Sequence, residues 1–272
     1  MNFEAITYNV EDSIATLKLA RPARTNALNG RMLEEINVVM DLAGADPSVK
    51  VVVVSGAGSA FSSGFDLKEQ MERRPTGFEQ WKPILRKDFD AVMRFWHCPK
   101  PTIAAVRGPC LAGAFELSLA CDMTIASDTA FFGEPELKFG AGIVVMILPW
   151  LVGPKIAKEI IFLGEDRLSV QRARELGIVN RVVPDASLEQ EVALVARHLC
   201  AVDPNLVKHT KRAINQTFER QGMLDALEAA LAIDLEIEGE GSVDKMAFMD
   251  IARADGLKAA LAWRDARFPV RK

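Results

Sequence analysis

The chain has 272 residues, 33 Lys+Arg against 37 Asp+Glu, and 49% hydrophobic residues. That apolar content supports a sizeable buried core and excludes disorder as the main state, and at about 150 residues per domain the length fits one large domain or two small ones. A formal net charge of −4 with no basic block argues against nucleic acid or an anionic membrane as partner.

Residues 3–10 and 14–19 read as strands of a hairpin joined by Glu11-Asp12-Ser13, with Ala15, Leu17 and Leu19 on one face and Thr16 and Lys18 on the other. A helix is predicted over about residues 30–42. Val51-Val52-Val53-Val54 is an all-apolar, β-branched run, the pattern of a strand covered on both faces, and residues 102–106 and 123–126 repeat it. Residues 111–120 between them have helical spacing. The repeated order of strand, turn and helix predicts an α/β fold.

Beyond Val183 no further strand is predicted. Ser187-Leu188-Glu189-Gln190 reads as a capping box, followed by a stripe of Leu188, Val192, Val195 and Leu199. Asp203-Pro204 places a cap before proline at the first helical position, and three more helical stretches run to Phe268. Residues 1–203 are therefore expected to form the core and 204–272 a helical C-terminal subdomain. Its apolar stripes need cover from the core or from a neighbouring subunit.

The longest apolar run, residues 143–152, contains Pro149 and reaches about half the length of a bilayer span. Met1-Asn2-Phe3-Glu4 shows no secretion signal. The cysteines, Cys98, Cys110, Cys121 and Cys200, have no metal or redox spacing and suit the reducing cytoplasm. His97, His198 and His209 are scattered, so no histidine metal site or Ser-His-Asp triad is expected.

Three segments could carry chemistry. In Phe61-Ser62-Ser63-Gly64-Phe65-Asp66-Leu67, glycine permits positive φ and Asp66 starts a helix with its own cap. The Phe65 N–H then has no helical partner and is free to donate to an anion; the plain alternative is a strand-to-helix turn. In residues 108–116, the small residues Ala112, Gly113 and Ala114 allow close backbone approach, and the Gly113 N–H lies in the first helical turn. Glu116 follows among apolar residues, either buried for a purpose or turned to solvent or an ion pair. In residues 131–136, Glu134 and Glu136 flank Pro135. Taken together, two donor amides and two carboxylates compose an oxyanion hole with acid/base groups.

With these segments in place the chain resembles the crotonase superfamily, and within it the enoyl-CoA hydratases. The likeness is carried by Arg21-Pro22, Asn26-Ala27-Leu28, residues 61–67, residues 101–116 with Leu119 and Cys121-Asp122, residues 132–136, and Ala173, Leu176, Gly177, Val179, Val182 and Val183. The resemblance implies a crotonase-like spiral of ββα units with a C-terminal oligomerisation region, assembled as a trimer or a pair of trimers. It implies Phe65 and Gly113 as the oxyanion-hole donors and Glu116 and Glu136 as the catalytic glutamates. It also implies a CoA and substrate site at Arg24, Ala27, Leu28, Ser63, Phe65, Asp66, Leu67, Lys68 and Gly113. No metal and no cofactor are expected beyond the coenzyme A of the substrate.

The implied reaction is hydration of a 2-enoyl-CoA to a 3-hydroxyacyl-CoA. Within the superfamily the alternatives are enoyl-CoA isomerisation and C–C bond hydrolysis. RNA binding or an inactive scaffold would be different classes; the acidic balance opposes the first and the two glutamates oppose the second. The chain departs from the family pattern at Phe65, where hydratases carry a small residue. It departs again at residues 140–146, which replace a Pro-Gly-rich loop and read either as helix core or as pocket wall, and at Ala260, where an aromatic is usual and Trp263 lies close by.

Overall fold

β1 (Ile6–Glu11) and β2 (Ile14–Leu19) form an antiparallel hairpin, and the expected alternation holds, with Ala15, Leu17 and Leu19 fully buried and Lys18 exposed. The computed structural model describes residues 2–269. Asp12 and Ser13 take φ of 50° and 64° at the turn, the left-handed geometry that matches strand twist in a tight hairpin. The strand starts at Ile6 and not at residue 3, because the amides of Glu4 and Ala5 donate to the Glu35 carboxylate, each at 2.9 Å, in place of a ladder partner.

Asn29 caps α1 (Gly30–Ala45) by accepting from the Met32 amide at 3.0 Å. There follow β3 (Val51–Gly56), α2 (Leu67–Arg73), α3 (Gly77–His97), β4 (Thr102–Val106), β5 (Pro109–Leu111), α4 (Gly113–Ala120), β6 (Met123–Ser127) and β7 (Phe131–Gly133). Next come α5 (Leu148–Val152), α6 (Pro154–Phe162), β8 (Leu168–Ser169), α7 (Val170–Glu175) and β9 (Arg181–Val183). The helix expected over 111–120 is shorter, since Leu111 ends β5 and Ala112 makes the turn. Sequence reading left α3 unassigned; Trp81, Leu85, Phe89, Val92 and Trp96 are its buried stripe.

The large sheet has the order β1-β2-β3-β4-β6-β9, and beyond the hairpin its neighbours pair in parallel. Its central strands are covered on both faces, as their uniform apolarity predicts. Val52, Val54, Ala104, Val106 and Ala126 join the main core with α1, α3 and α4. Val51, Val53, Ile103, Ala105 and Ile125 face Leu188, Val192, Val195 and Ala196 of α8 (Leu188–Ala201). The capping box expected at Ser187 does not form: Ser187 has φ −103° and ψ −2°, and its side chain caps nothing. A second sheet, β5-β7-β8, stands apart and carries the segments of chemical interest.

The C-terminal region is helical: α9 (Pro204–Glu219), capped by Asp203, then α10 (Met223–Glu240), α11 (Val243–Asp255) and α12 (Leu257–Ala266). Met223, Leu227 and Leu231 of α10 belong to the main core. Phe248, Met249 and Ala252 of α11 and Ala260 of α12 pack on Phe139, with Leu67 of α2 and Trp263 beside them. The last two helices therefore fold back over the loop that follows β7.

Candidate functional site

Two loops are zipped together before either reaches its helix. The Ser62 amide donates to the Pro109 carbonyl at 3.0 Å and the Leu111 amide to the Ser62 carbonyl at 3.1 Å, so residues 60–65 run parallel beside β5. Gly64 takes φ +89°, and a Cβ there would lie 2.5 Å from the Ala112 Cβ and 3.3 Å from the Gly113 nitrogen. Only glycine permits that approach. On the other side, Leu28 donates to the Gly64 carbonyl and accepts from the Asp66 amide, which leaves the intervening Phe65 N–H turned away from that partner. The amides of Phe65 and Gly113 have no acceptor among the described residues. Gly113 opens α4, where the helix dipole favours an anion.

Asp66 is fixed structurally. Its carboxylate accepts from the Lys68 and Glu69 amides to cap α2 and pairs with Arg21 at 2.8 Å. Asn26, fully buried with φ 50°, accepts from the Arg21 amide and donates to the carbonyls of Ala57 and Ala60, and so anchors the loop carrying Arg24, Ala27 and Leu28.

The acids are brought together by the second sheet. β5 and β7 pair in parallel, Cys110 with Phe132 and Leu111 with Gly133, and the Ala112 amide donates to the Gly133 carbonyl at 2.8 Å. The start of α4 and the segment Glu134-Pro135-Glu136 thus leave the same sheet edge side by side. Carboxylate oxygens of Glu116, Glu134 and Glu136 all lie within 4.8 Å of one another, and each residue is buried. Both oxygens of Glu116 and one each of Glu134 and Glu136 are buried with no hydrogen-bond partner among the described residues.

A cavity of about 420 Å³ opens beside this cluster. Arg24, Ala27, Ser63, Phe65, Asp66, Leu67, Lys68 and Glu136 line it, as do Ala141, Gly142 and Val144, so the 140–146 stretch is pocket wall and not helix. Gly113 and Glu116 are not among the lining residues; Gly113 packs against the Phe65 ring, which a Cβ at position 113 would meet at 2.2 Å. Leu28 borders an adjoining cleft instead. Sequence reading singled out Glu134 without giving it a role. It missed Trp81, Asp88, Asp234, Glu238 and Lys245, which line the cavity from α3, α10 and α11. The available signal was an acid inside an apolar helical stretch, Asp234 within Leu231-Ala232-Ile233-Asp234-Leu235.

The family model for enoyl-CoA hydratase/isomerase matches residues 9–238. The chain belongs to the enoyl-CoA hydratase/isomerase family. It is an enzyme of the crotonase superfamily by fold as well. It is similar to a crystal structure of an enoyl-CoA hydratase/isomerase from Xanthobacter autotrophicus Py2, with 67% identity and a TM-score of 0.98 over 99% of this chain and 100% of that one. Among curated relatives it is 30% identical to the crotonyl-CoA hydratase of Syntrophomonas wolfei, over 98% of this chain and 99% of the relative. It is 32% identical to the short-chain-enoyl-CoA hydratase of Clostridium acetobutylicum, over 95% and 99%. Among the described residues no helix is long and apolar enough to cross a membrane.

In this family member the electrostatics follow from desolvation. Burial, and then the charge of Glu136, push the Glu116 carboxyl well above its ordinary range; the Val145 backbone amide opposes the rise without meeting hydrogen-bond geometry. Burial and the charges of Glu136 and Glu116 do the same to Glu134. Glu136 rises to about 8 by burial, held back by its own amide and by Glu134. The three oxygens are close enough to share one cation, but their raised proton affinity favours shared protons at neutral pH.

The turn that aims the Gly113 amide is strained, with Ala112 at φ 56° and ψ −139°. Strain of this kind costs about 1–3 kcal/mol, and glycine gives back part of its relief as extra unfolded-state entropy. Ala112→Gly is expected to raise stability by about 1 kcal/mol in urea denaturation; an unchanged or lower midpoint would contradict the strain.

Stability also depends on pH through the buried acids. Asp88 rises to about 8 in the fold, chiefly by burial, and ionises at about pH 4 when unfolded. Between those limits the unfolded chain binds fewer protons than the native one, so stability falls as pH rises. Asp88→Asn is expected to remove ~1.4 kcal/mol per pH unit from that fall, read as the difference between wild-type and variant urea curves across the window.

Proposed function

We propose that the protein hydrates a 2-enoyl-CoA thioester to a 3-hydroxyacyl-CoA. The observation that carries this is the pair Glu116 and Glu136, buried, with carboxylate oxygens within 4.8 Å of one another and three of them without a hydrogen-bond partner among the described residues, together with two amides that have no acceptor there. Water adding to C3 pushes electrons through C2 onto the thioester oxygen. The Phe65 and Gly113 N–H groups are the donors for that oxyanion, a type of contact worth on the order of 10²–10³ in rate for each donor. Glu136, which reaches the cavity wall, takes the water proton as the oxygen bonds to C3. Glu116, held neutral by burial, delivers its proton to C2, and the proton then returns between the two carboxyls.

The curated relatives named above act, by name, on crotonyl-CoA and short-chain enoyl-CoA, which supports the same substrate class here. Arg24 is exposed, without an ion-pair partner among the described residues, and Lys68 is exposed beside it on the cavity rim, so both suit the phosphates of coenzyme A. The setting we infer is the cytoplasm, with no cofactor besides the CoA carried by the substrate.

Assembly as a trimer or a pair of trimers belongs to the same reading. Leu206 and Ile214 of α9 are 61% and 57% exposed and line an apolar groove of about 540 Å³. An apolar face of that kind favours burial against another subunit. Light scattering at micromolar concentration is expected to report three or six chains per particle; a monomer would overturn the assembly.

The reaction is tested through the glutamates. Glu116→Gln and Glu136→Gln keep volume and remove the acid and the base in turn, and each is expected to lower kcat on an enoyl-CoA by about 10²–10⁴ with little change in KM. The double variant is expected to lose far less than the product of the two single losses, because the groups act as one unit. Loss of the enoyl absorbance with mass spectrometry for added water reads the outcome. If Glu116→Gln stays active while Glu136→Gln is dead, the reaction is isomerisation, which needs one base.

A further inference from the structure

One wall of the cavity is too polar for a hydrocarbon chain. Asp88 from α3, Asp234 and Glu238 from α10 and Lys245 from α11 all face it, and each is at least nine-tenths buried. Two of the four are satisfied by each other. Glu238 accepts from the Lys245 ammonium and, at 3.4 Å, from the Gly142 amide, while Lys245 also lies 4.2 Å over the Trp81 ring.

Asp234 is different. It is 2% exposed, it has no hydrogen-bond partner among the described residues, and its Oδ1 is fully buried. Its carboxyl rests on the backbone of Gly142, where a Cβ would lie 1.9 Å from Oδ1. Position 142 thus leaves the carboxyl its space. Asp234 lines the same cavity as Glu136, so an acyl chain held at Glu136 shares its space with this wall. A plain alkyl tail would seal an unpaired acid away from water with no compensation.

We propose that the acyl chain of the substrate carries a hydroxyl group near its end, and that Asp234 accepts a hydrogen bond from the hydroxyl while Lys245 donates one to the hydroxyl oxygen. This rests on the enoyl-CoA reading above. A hydroxyl is both donor and acceptor, and so it meets an unpartnered carboxyl and an ammonium with protons to spare. A carboxylate tail would face Asp88, Asp234 and Glu238 together. An ammonium tail could meet Asp234 but would leave the Lys245 ammonium facing a like charge, whereas a hydroxyl uses both groups. The neutral group avoids both repulsions.

The test uses matched CoA thioesters of one chain length, ending in methyl, hydroxyl, amino or carboxyl groups. The 2-enoyl series reads turnover, and the saturated series reads binding by calorimetry without any reaction. The hydroxyl compound is expected to exceed the methyl compound by about 10²-fold or more in kcat/KM, with a matching preference in binding. Asp234→Leu and Asp234→Ala are expected to collapse both preferences to less than about five-fold; two variants guard against one that does not fold. Equal use of methyl and hydroxyl chains would overturn the proposal while leaving hydration intact. So would a stronger preference for the amino or carboxyl chain, or a hydroxyl preference that survives in Asp234→Ala. If the saturated hydroxyl compound binds preferentially and no enoyl thioester gains water, the acyl-chain proposal holds and the hydration reading fails.

Discussion

Three residues of parallel pairing decide where the buried carboxyls meet. β5 and β7 run side by side in the same direction, so the segments leaving them emerge at one edge of the small sheet. From β5 the chain turns through Ala112 into α4, and from β7 it enters Glu134-Pro135-Glu136. An antiparallel pair would send those two exits to opposite ends and separate Glu116 from Glu136. The strained φ at Ala112 belongs to the same constraint, because the turn must release the Gly113 amide while its own amide stays on Gly133.

Holding carboxyls there works against stability. Glu116, Glu134 and Glu136 are desolvated without a cation beside them, and Asp88 and Asp234 add two more buried acids on the cavity wall. Burial raises the proton affinity of each. The offsetting contribution comes from elsewhere: a sheet covered on both faces by α1, α3 and α4 on one side and α8 on the other. The same desolvation that costs stability raises proton affinity into the range where a carboxyl can both take and give a proton near neutral pH.

The C-terminal helices join the site to the rest of the fold. α11 and α12 pack on Phe139, just past Glu136, and α10 packs into the main core while presenting Asp234 and Glu238 to the cavity. The tail is thus at once a cover for the candidate site and the source of the polar wall, leaving the apolar side of α9 outward.

Much of this was legible in the chain itself. The alternation of residues 14–19, the β-branched run at 51–54 and the cap at Asp203-Pro204 reflect local rules, and each formed as read. Gly64 at positive φ and Asp66 as a cap were equally local. The local rules failed where a long-range contact competed. Residue 3 did not begin a strand because Glu35 took the amides of Glu4 and Ala5, and the stretch 140–146 became wall because Gly142 packs under Asp234, far along the chain. By itself the sequence determined the hairpin, the central strands, most of the helices and the residue types able to do acid/base chemistry, since these follow from neighbours a few positions apart. Only the tertiary structure decided that Glu116, Glu134 and Glu136 would share one desolvated space, and that Asp234 would be left facing the cavity without a partner. Burial and pairing are properties of contacts between distant segments, and no local pattern encodes which of those contacts a folded chain will make.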